Sequence, residues 1–230
     1  MRFFKLASPL LFIAIVIGGC AAHSNIEPVR QGNLSGNVCI GGPIVNVSDT
    51  YFPIPIVTAG ANYGLTKRID LNGELNLLSL VYSIAGLDAG ITWYPIAGDG
   101  AVPTWSLGIQ PHIMALVSLK PDVGDRFRAY PMLSASFARI WCCGAVYTGF
   151  DLTIPISQSD YDDESPNFIW SPFIGYEWIL TEDLRVFTEI KWEGANVRSN
   201  QLAADYLGIS KYGAITPLFS IEKGFINEWK

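Results

Sequence analysis

The sequence predicts an all-β chain closed into an antiparallel, up-and-down transmembrane barrel of ten strands, with eight as the rival count. Three observations carry that expectation. Apolar and polar residues alternate with period two along most of the chain, as extended strands with one oily and one wet face require. No apolar stripe of helical spacing runs for any length. Charged residues make up 16% of the 230 residues while half are apolar and 13% aromatic, a charge content well below the quarter usual for a water-facing domain.

The alternation is plainest at residues 69–78. There Ile69, Leu71, Leu75 and Leu77 oppose Asp70, Asn72, Glu74 and Asn76, with Gly73 on the apolar face. Residues 184–193 repeat it, with Leu184, Val186, Ile190 and Trp192 opposed to Arg185, Glu189, Lys191 and Glu193. The length suits one domain. The formal net charge of −6 becomes −8 if a leader carrying Arg2 and Lys5 is removed, which leaves no basic patch for phosphates and excludes nucleic acid as a partner.

Taken in order, residues 1–19 read as a secretory leader: Arg2 and Lys5, an apolar run over 6–17, then two glycines before Cys20. The run is too short for a comfortable helical span. Ile17-Gly18-Gly19-Cys20 resembles the bacterial lipobox. That resemblance implies cleavage before Cys20, its acylation, and a lipoprotein-sorting step, with the outer membrane as destination because Ala21 follows the cysteine. Residues 20–36 are small, polar and unpatterned, which predicts a flexible lipid tether. The barrel domain is expected over 37–230.

Ten strands are expected at 37–47, 52–64, 69–80, 86–95, 104–118, 128–141, 144–156, 167–180, 184–196 and 213–227. Leu87, Ala89, Ile91 and Trp93 oppose Asp88, Gly90, Thr92 and Tyr94; Trp105, Leu107, Ile109 and Ile113 oppose Ser106, Gly108, Gln110 and His112. In later strands Val146, Phe150 and Leu152 oppose Tyr147, Gly149 and Asp151, and Ile215, Phe219 and Ile221 oppose Thr216, Ser220 and Glu222. Pro55, Pro111, Pro131, Pro172 and Pro217 fall inside these runs, and their missing N–H places them at bulges or strand ends. Short turns at 66–68, 141–144 and 181–183 alternate with longer, more polar connections at 118–127, 157–167 and 197–212. Such barrels put short turns in the periplasm. With ten strands both chain ends share that side. The connection 96–103 is longer than this layout wants.

Period two cannot say which face points outward, and a soluble lipocalin-like periplasmic lipoprotein with an apolar interior is the competing architecture. Three features favour the membrane. Trp93, Trp105, Trp141, Trp170, Trp178 and Trp192 stand near strand ends, where an interfacial girdle places them. The polar face carries both signs of charge, able to pair across a narrow lumen. Charges elsewhere in the strands are few, chiefly Arg139 and Lys223, both near a turn end where a long side chain reaches the interface. A lipocalin would also usually show a Gly-x-Trp near its first strand, absent here.

From about residue 37 onward the pattern resembles the small bacterial outer-membrane β-barrels as a class. The resemblance implies membrane lipids and the barrel-assembly machinery as partners, and a monomer. The last residues, Gly224 to Trp229 with Lys230 after them, match only in part the aromatic ending of that class.

Candidate sites follow from the same faces. Asp70, Asn72, Glu74, Asp88, His112, Asp151, Arg185, Glu189, Lys191, Glu193 and Glu222 form the expected polar network of the lumen. Side chains alone are expected to fill it, because eight strands leave no bore and ten little more; a solute path past Arg185, Glu189 and Lys191 is the alternative. His112 is the one candidate catalytic residue, since His23 lies in the tether. Barrels resembling the phospholipases and lipid A deacylases place a catalytic histidine and serine two apart on one strand, and that arrangement is absent here. Met114 stands where their serine would, and Ser106 is roughly 20 Å from His112 along an extended strand. A lipid-modifying enzyme therefore requires a serine or second base from another strand. Cys39, Cys142 and Cys143 are read either as thiols or as one bridge from Cys39 to a member of the pair. No metal or cofactor is expected; the acidic stretch 160–164 lacks the spacing of a calcium loop. Tyr206 and Leu207 in the long connection 197–212 are candidates for partner contact. The resulting expectation is a lipid-anchored barrel with a structural or binding role through its outer loops.

Overall fold

The computed structural model describes residues 24–47, 50–97, 104–120, 127–155, 167–199 and 206–225. The leader and lipobox with Cys20, the acidic stretch 160–164 and the last residues from 226 lie outside them. Twelve strands run in chain order: β1 (Leu34–Gly41), β2 (Ile44–Val47), β3 (Thr50–Pro53), β4 (Ile56–Thr66), β5 (Ile69–Asn76), β6 (Ile84–Ile96), β7 (Thr104–Ser118), β8 (Phe127–Trp141), β9 (Gly144–Thr153), β10 (Ile169–Ile179), β11 (Leu184–Arg198) and β12 (Tyr212–Phe225). Ten of them close into one antiparallel barrel, β4 to β12 side by side with β1 between β12 and β4. The count excludes the eight-stranded alternative. The remaining two, β2 and β3, pair with each other as a hairpin outside the barrel sheet, where the sequence suggested two longer barrel strands at 37–47 and 52–64. Gly42-Pro43 ends β1 and Pro55 separates β3 from β4, as proline, unable to donate to a ladder, would.

The strand expected over 69–80 also ends early. Asn76 caps a short helix α1 (Leu77–Val81), its side chain accepting from the Ser79 N–H at 3.0 Å. Asn76→Ala is expected to remove roughly 1 kcal/mol of local stability, seen as faster amide exchange over 77–83 with the rest of the barrel unchanged.

The prolines inside strands fall at ladder ends, one of the two placements expected of them. Pro172 precedes the first β10–β11 pair at Phe173, Pro217 lies beyond the β1–β12 pair at Leu218, and Pro131 lies beyond the β8–β9 pair at Met132. Each is in register on one side and stands just past the end of the ladder on the other, where the Pro217 and Pro131 carbonyls still accept from the Gly42 and Ile154 N–H groups at 3.2 and 3.0 Å. Pro111 stands at a gap in the β6–β7 ladder between the pairs Gly90↔His112 and Trp93↔Ile109.

Leu75, Leu87, Ile91, Ile113, Ile174 and Ile190 face out and are about half exposed, whereas Asp70, Thr92, Glu177, Glu189 and Lys191 are 3% exposed or less. An apolar exterior around a charged interior is stable only in lipid, which overturns the lipocalin-like alternative with its apolar interior. Trp93, Trp105 and Trp178 lie exposed towards one rim and Trp170 towards the other. Arg139 lies over the Trp105 ring at 5.2 Å, and Lys223 reaches Asp183 at 3.7 Å, so both exterior cations are held near the rim that carries the tight turns. There the Thr181 hydroxyl donates to Asp183 at 2.6 Å and, with Lys223, holds that carboxyl below its usual range. Ile113→Arg, a cation placed mid-strand on the lipid face, is expected to cost roughly 2–4 kcal/mol, measured by urea titration of the barrel folded in vesicles.

Candidate functional site: the filled lumen

The barrel interior has three levels. Towards the rim of the long loops it is apolar: Ile84, Met114, Leu116 and Met132 pack together with Tyr130 against them, Cys39 packs with Ile56 and Leu218, and Val45 of β2 meets Tyr206 and Ala214. The β2–β3 hairpin thus sits on the barrel's mouth, tied to the long connection by the backbone bridge Val45↔Tyr206. Leu207 belongs to the same junction, its N–H donating to the Ile44 carbonyl at 2.8 Å.

The middle level is a polar belt. Asp88 on β6 lies 2.9 Å from His112 Nδ1, and His112 Nε2 on β7 lies 3.0 Å from Ser134 Oγ on β8. The Ser134 hydroxyl donates to Asp151 on β9 at 2.6 Å, and Asp151 meets Lys191 Nζ on β11 at 2.7 Å. Lys191 is also 3.6 Å from Glu189. A second chain joins Thr92, Asn72 and Asn62: Thr92 donates to Asn72 Oδ1 at 2.7 Å and Asn72 Nδ2 to Asn62 Oδ1 at 2.9 Å. Glu74 lines the cavity between these chains, and Glu193 is buried above Lys191 on the same face of β11. Gly90 makes room for the ring, since a Cβ there would collide with the His112 side chain and the Pro111 carbonyl.

The lowest level is occupied by residues 24–33; of the stretch 20–36 expected to be a flexible tether, 24–36 are described, and the last three of these already belong to β1. Those before it are held in the lumen instead. Ser24 N–H donates to Glu189 Oε2 at 3.2 Å, Asn62 Nδ2 to Asn25 Oδ1 at 3.2 Å, and Ser136 Oγ to the Asn25 carbonyl at 2.9 Å. Ile26 is 2% exposed among Ala138, Ile140, Ala145, Tyr147, Phe173 and Phe187. Glu27 pairs with Arg185 at 2.7 Å, and Arg185 also reaches Glu177 at 3.2 Å. Val29 N–H donates to Asp70 at 2.9 Å. Gly64 of β4 leaves space for the carbonyls of Val29 and Arg30, which a Cβ would strike. Glu222 lines the mouth of this level with Arg30 and Arg185.

Ser134, Asn62 and Glu177 were not singled out in the sequence, and Thr92 was placed on the polar face without being assigned to the network. Ser134 and Ser136 do alternate with Leu133, Ala135 and Phe137, but only the register that opposes Met132 to His112 brings Ser134 to the ring. Asp88, His112 and Ser134 thus have the spacing of a hydrolase triad. The direction of the hydroxyl is wrong for one: Ser134 gives its proton to Asp151, whereas a nucleophile gives it to the imidazole. The cavity beside the belt holds about 40 Å³, room for a few water molecules and not for a lipid. The three cysteines among the described residues form no disulfide, Cys39 lying in the upper lumen and Cys142–Cys143 in the β8–β9 turn at the opposite rim, so the bridge from Cys39 to the pair is not formed. Among the described residues no group of three or more His, Cys, Asp or Glu side chains is placed to hold a metal ion.

These features define a membrane-spanning barrel whose bore is filled. No family model and no curated protein matches the chain. Among solved structures, the COG4313 outer membrane channel from Pseudomonas putida F1 is similar at 11% identity over 89% of this chain and 99% of that one, with a TM-score of 0.49. The outer membrane protein OprG from Pseudomonas aeruginosa is similar at 8% identity, 88% and 100% coverage and a TM-score of 0.34. The translocator domain of the autotransporter NalP from Neisseria meningitidis gives 7%, 97% and 96%, and 0.39.

Proposed function

We propose that the protein is a monomeric, non-conducting outer-membrane barrel, acylated at Cys20, whose role is structural or binding and is exercised through the cap and loops at the rim facing outside the cell. The observation that carries this reading is the state of the bore: a packed apolar collar at one end, an ion-paired belt with only about 40 Å³ beside it, and a length of its own chain below. The tight turns, both ends of the barrel sheet and the short-turn side coincide, which supports the periplasmic placement of that rim. Barrel-assembly and lipoprotein-sorting machinery are the partners such a chain requires.

Anchoring has a steric consequence. Three residues lie between Cys20 and Ser24, and the four steps between their Cα atoms span no more than about 14 Å, while Ser24 is bonded to Glu189 inside the wall. An acyl chain on Cys20 therefore reaches a leaflet only with residues 24–33 drawn out of the lumen. The collar of Ile84, Met114, Leu116 and Met132 keeps the barrel shut in that state as well. Reconstituted in planar bilayers, the protein is expected to show no ion-conducting steps, with or without Cys20→Ala; reproducible conductance would sink the reading. The anchor is tested separately by the mass of the N-terminal peptide, which must carry acyl chains in the parent and none in Cys20→Ala. The enzyme alternative has the Asp88–His112–Ser134 spacing in its favour, but hydrolysis of added phospholipid by the folded protein is expected to be nil.

A further inference from the structure

The β8–β9 connection is a two-residue hairpin turn made of Cys142 and Cys143, and both side chains are exposed with their sulfurs 3.2 Å apart. We propose that this vicinal pair is a chelating site for a trivalent metalloid oxyacid of the arsenite type. Soft thiolates select thiophilic centres over the cations that oxygen ligands hold. The spacing then narrows the class. Tetrahedral zinc, with bonds of about 2.3 Å, holds two sulfurs about 3.8 Å apart. At 3.2 Å and the same bond length the angle at the bound atom closes to about 90°, which suits a pyramidal centre with a lone pair. A two-coordinate linear ion would need the sulfurs farther apart still. No third His, Cys, Asp or Glu joins the pair among the described residues, so the third position of the pyramid is left to a hydroxyl that the metalloid brings with it.

The competing fate of such a pair is oxidation to a disulfide, which would close an eight-membered ring through the Cys142–Cys143 peptide. That ring is strained, and strained exposed disulfides are the readily reduced ones. Inserting one atom between the sulfurs enlarges the ring to nine members and relieves the strain. Capture is a condensation without redox change: two As–O bonds break, two As–S bonds form, and each thiol proton leaves with a hydroxide as water. Contact with Cys142 pushes the Cys143 thiol up. Cys39, buried in the lumen with Ile56 and Leu218, is out of reach.

The test uses the full-length protein, reduced, freed of reductant and kept folded in detergent micelles, with phenylarsine oxide as probe because its aryl group leaves two positions for sulfur. One equivalent is expected to remove two reactive thiols, with the adduct on the peptide containing residues 142–143 and released by a small dithiol. Cys142→Ser and Cys143→Ser, each verified as folded by the heat-dependent shift in electrophoretic mobility, are expected to bind at least about a hundredfold more weakly, the usual loss when chelation becomes single-point attachment. The proposal is overturned if either single-thiol variant binds as tightly as the parent, if the adduct maps elsewhere, if zinc at equal concentration protects the pair as well as the arsenical does, or if mild reduction leaves the two sulfurs joined.

Discussion

Lys191→Ala is expected to destabilise the barrel by roughly 3–5 kcal/mol, the cost of leaving a buried charge without its partner. Lys191 is 3% exposed and is the cation between Asp151 at 2.7 Å and Glu189 at 3.6 Å, with Glu193 on the same strand face. Its ammonium also lies 5.5 Å from the centre of the Phe173 ring. Removing it leaves three carboxylates facing one another in a space that water barely enters. The effect is read by urea titration in lipid vesicles, following tryptophan fluorescence. Adding Asp151→Asn to Lys191→Ala is expected to recover part of the loss, because the uncompensated charge goes with the partner. Equal destabilisation by the single and double variants would mean that the pair contributes through the space it fills and not through charge.

The alternation of Leu71 and Leu75 with Asp70, Asn72 and Glu74 was enough to read the barrel, because a period of two is a property of each strand alone. Burial then decided the direction, which periodicity cannot. What depends on register was not legible. His112 meets Ser134 and Asp88 only through the pairing of β7 with its two neighbours, and no local pattern announces which serine a histidine will meet. The division of 37–64 was legible in principle, since Gly42-Pro43 and Pro55 are strand breakers, yet the runs on either side alternate well enough to hide them. Asn76 likewise reads as the last polar residue of a strand until its side chain is seen to cap α1. The N-terminal segment was invisible for a different reason. Residues 24–33 have no period, and part of their hold on the lumen runs through main-chain N–H groups, those of Ser24 and Val29 given to Glu189 and Asp70. Every residue but proline carries that donor, so its use leaves no trace in side-chain pattern.

Ile26→Asp is expected to expel that segment while leaving the barrel folded. Ile26 fills a space bounded by Tyr147, Phe173 and Phe187, and emptying it alone costs roughly 2–5 kcal/mol. A carboxylate there adds an unpaired charge to a lumen whose nearby ionisable groups include Glu177 and Glu189, both nearly inaccessible to solvent. The remaining anchors are the Ser24 and Val29 N–H bonds, the two contacts of Asn25, the Glu27–Arg185 pair, and the backbone bonds of Gly32 and Asn33 to Gly64 where the segment enters β1. At about 1 kcal/mol each these bonds are comparable to the lost packing alone, and it is the added desolvation of the buried carboxylate that tips the balance towards release of residues 24–31. The ladder of ten strands is untouched, so amide exchange should accelerate over 24–31 and stay slow in β7, β8 and β11. Gly64→Ala reaches the same end from the wall, since its added methyl meets the carbonyls of Val29 and Arg30. Continued protection of 24–31 in both variants would show that the segment is an integral part of the barrel's folding unit. Release in both, with the membrane still tight to ions, would place the barrier in the collar of Ile84, Met114, Leu116 and Met132 and leave the segment free to answer to whatever is attached at its N-terminal end.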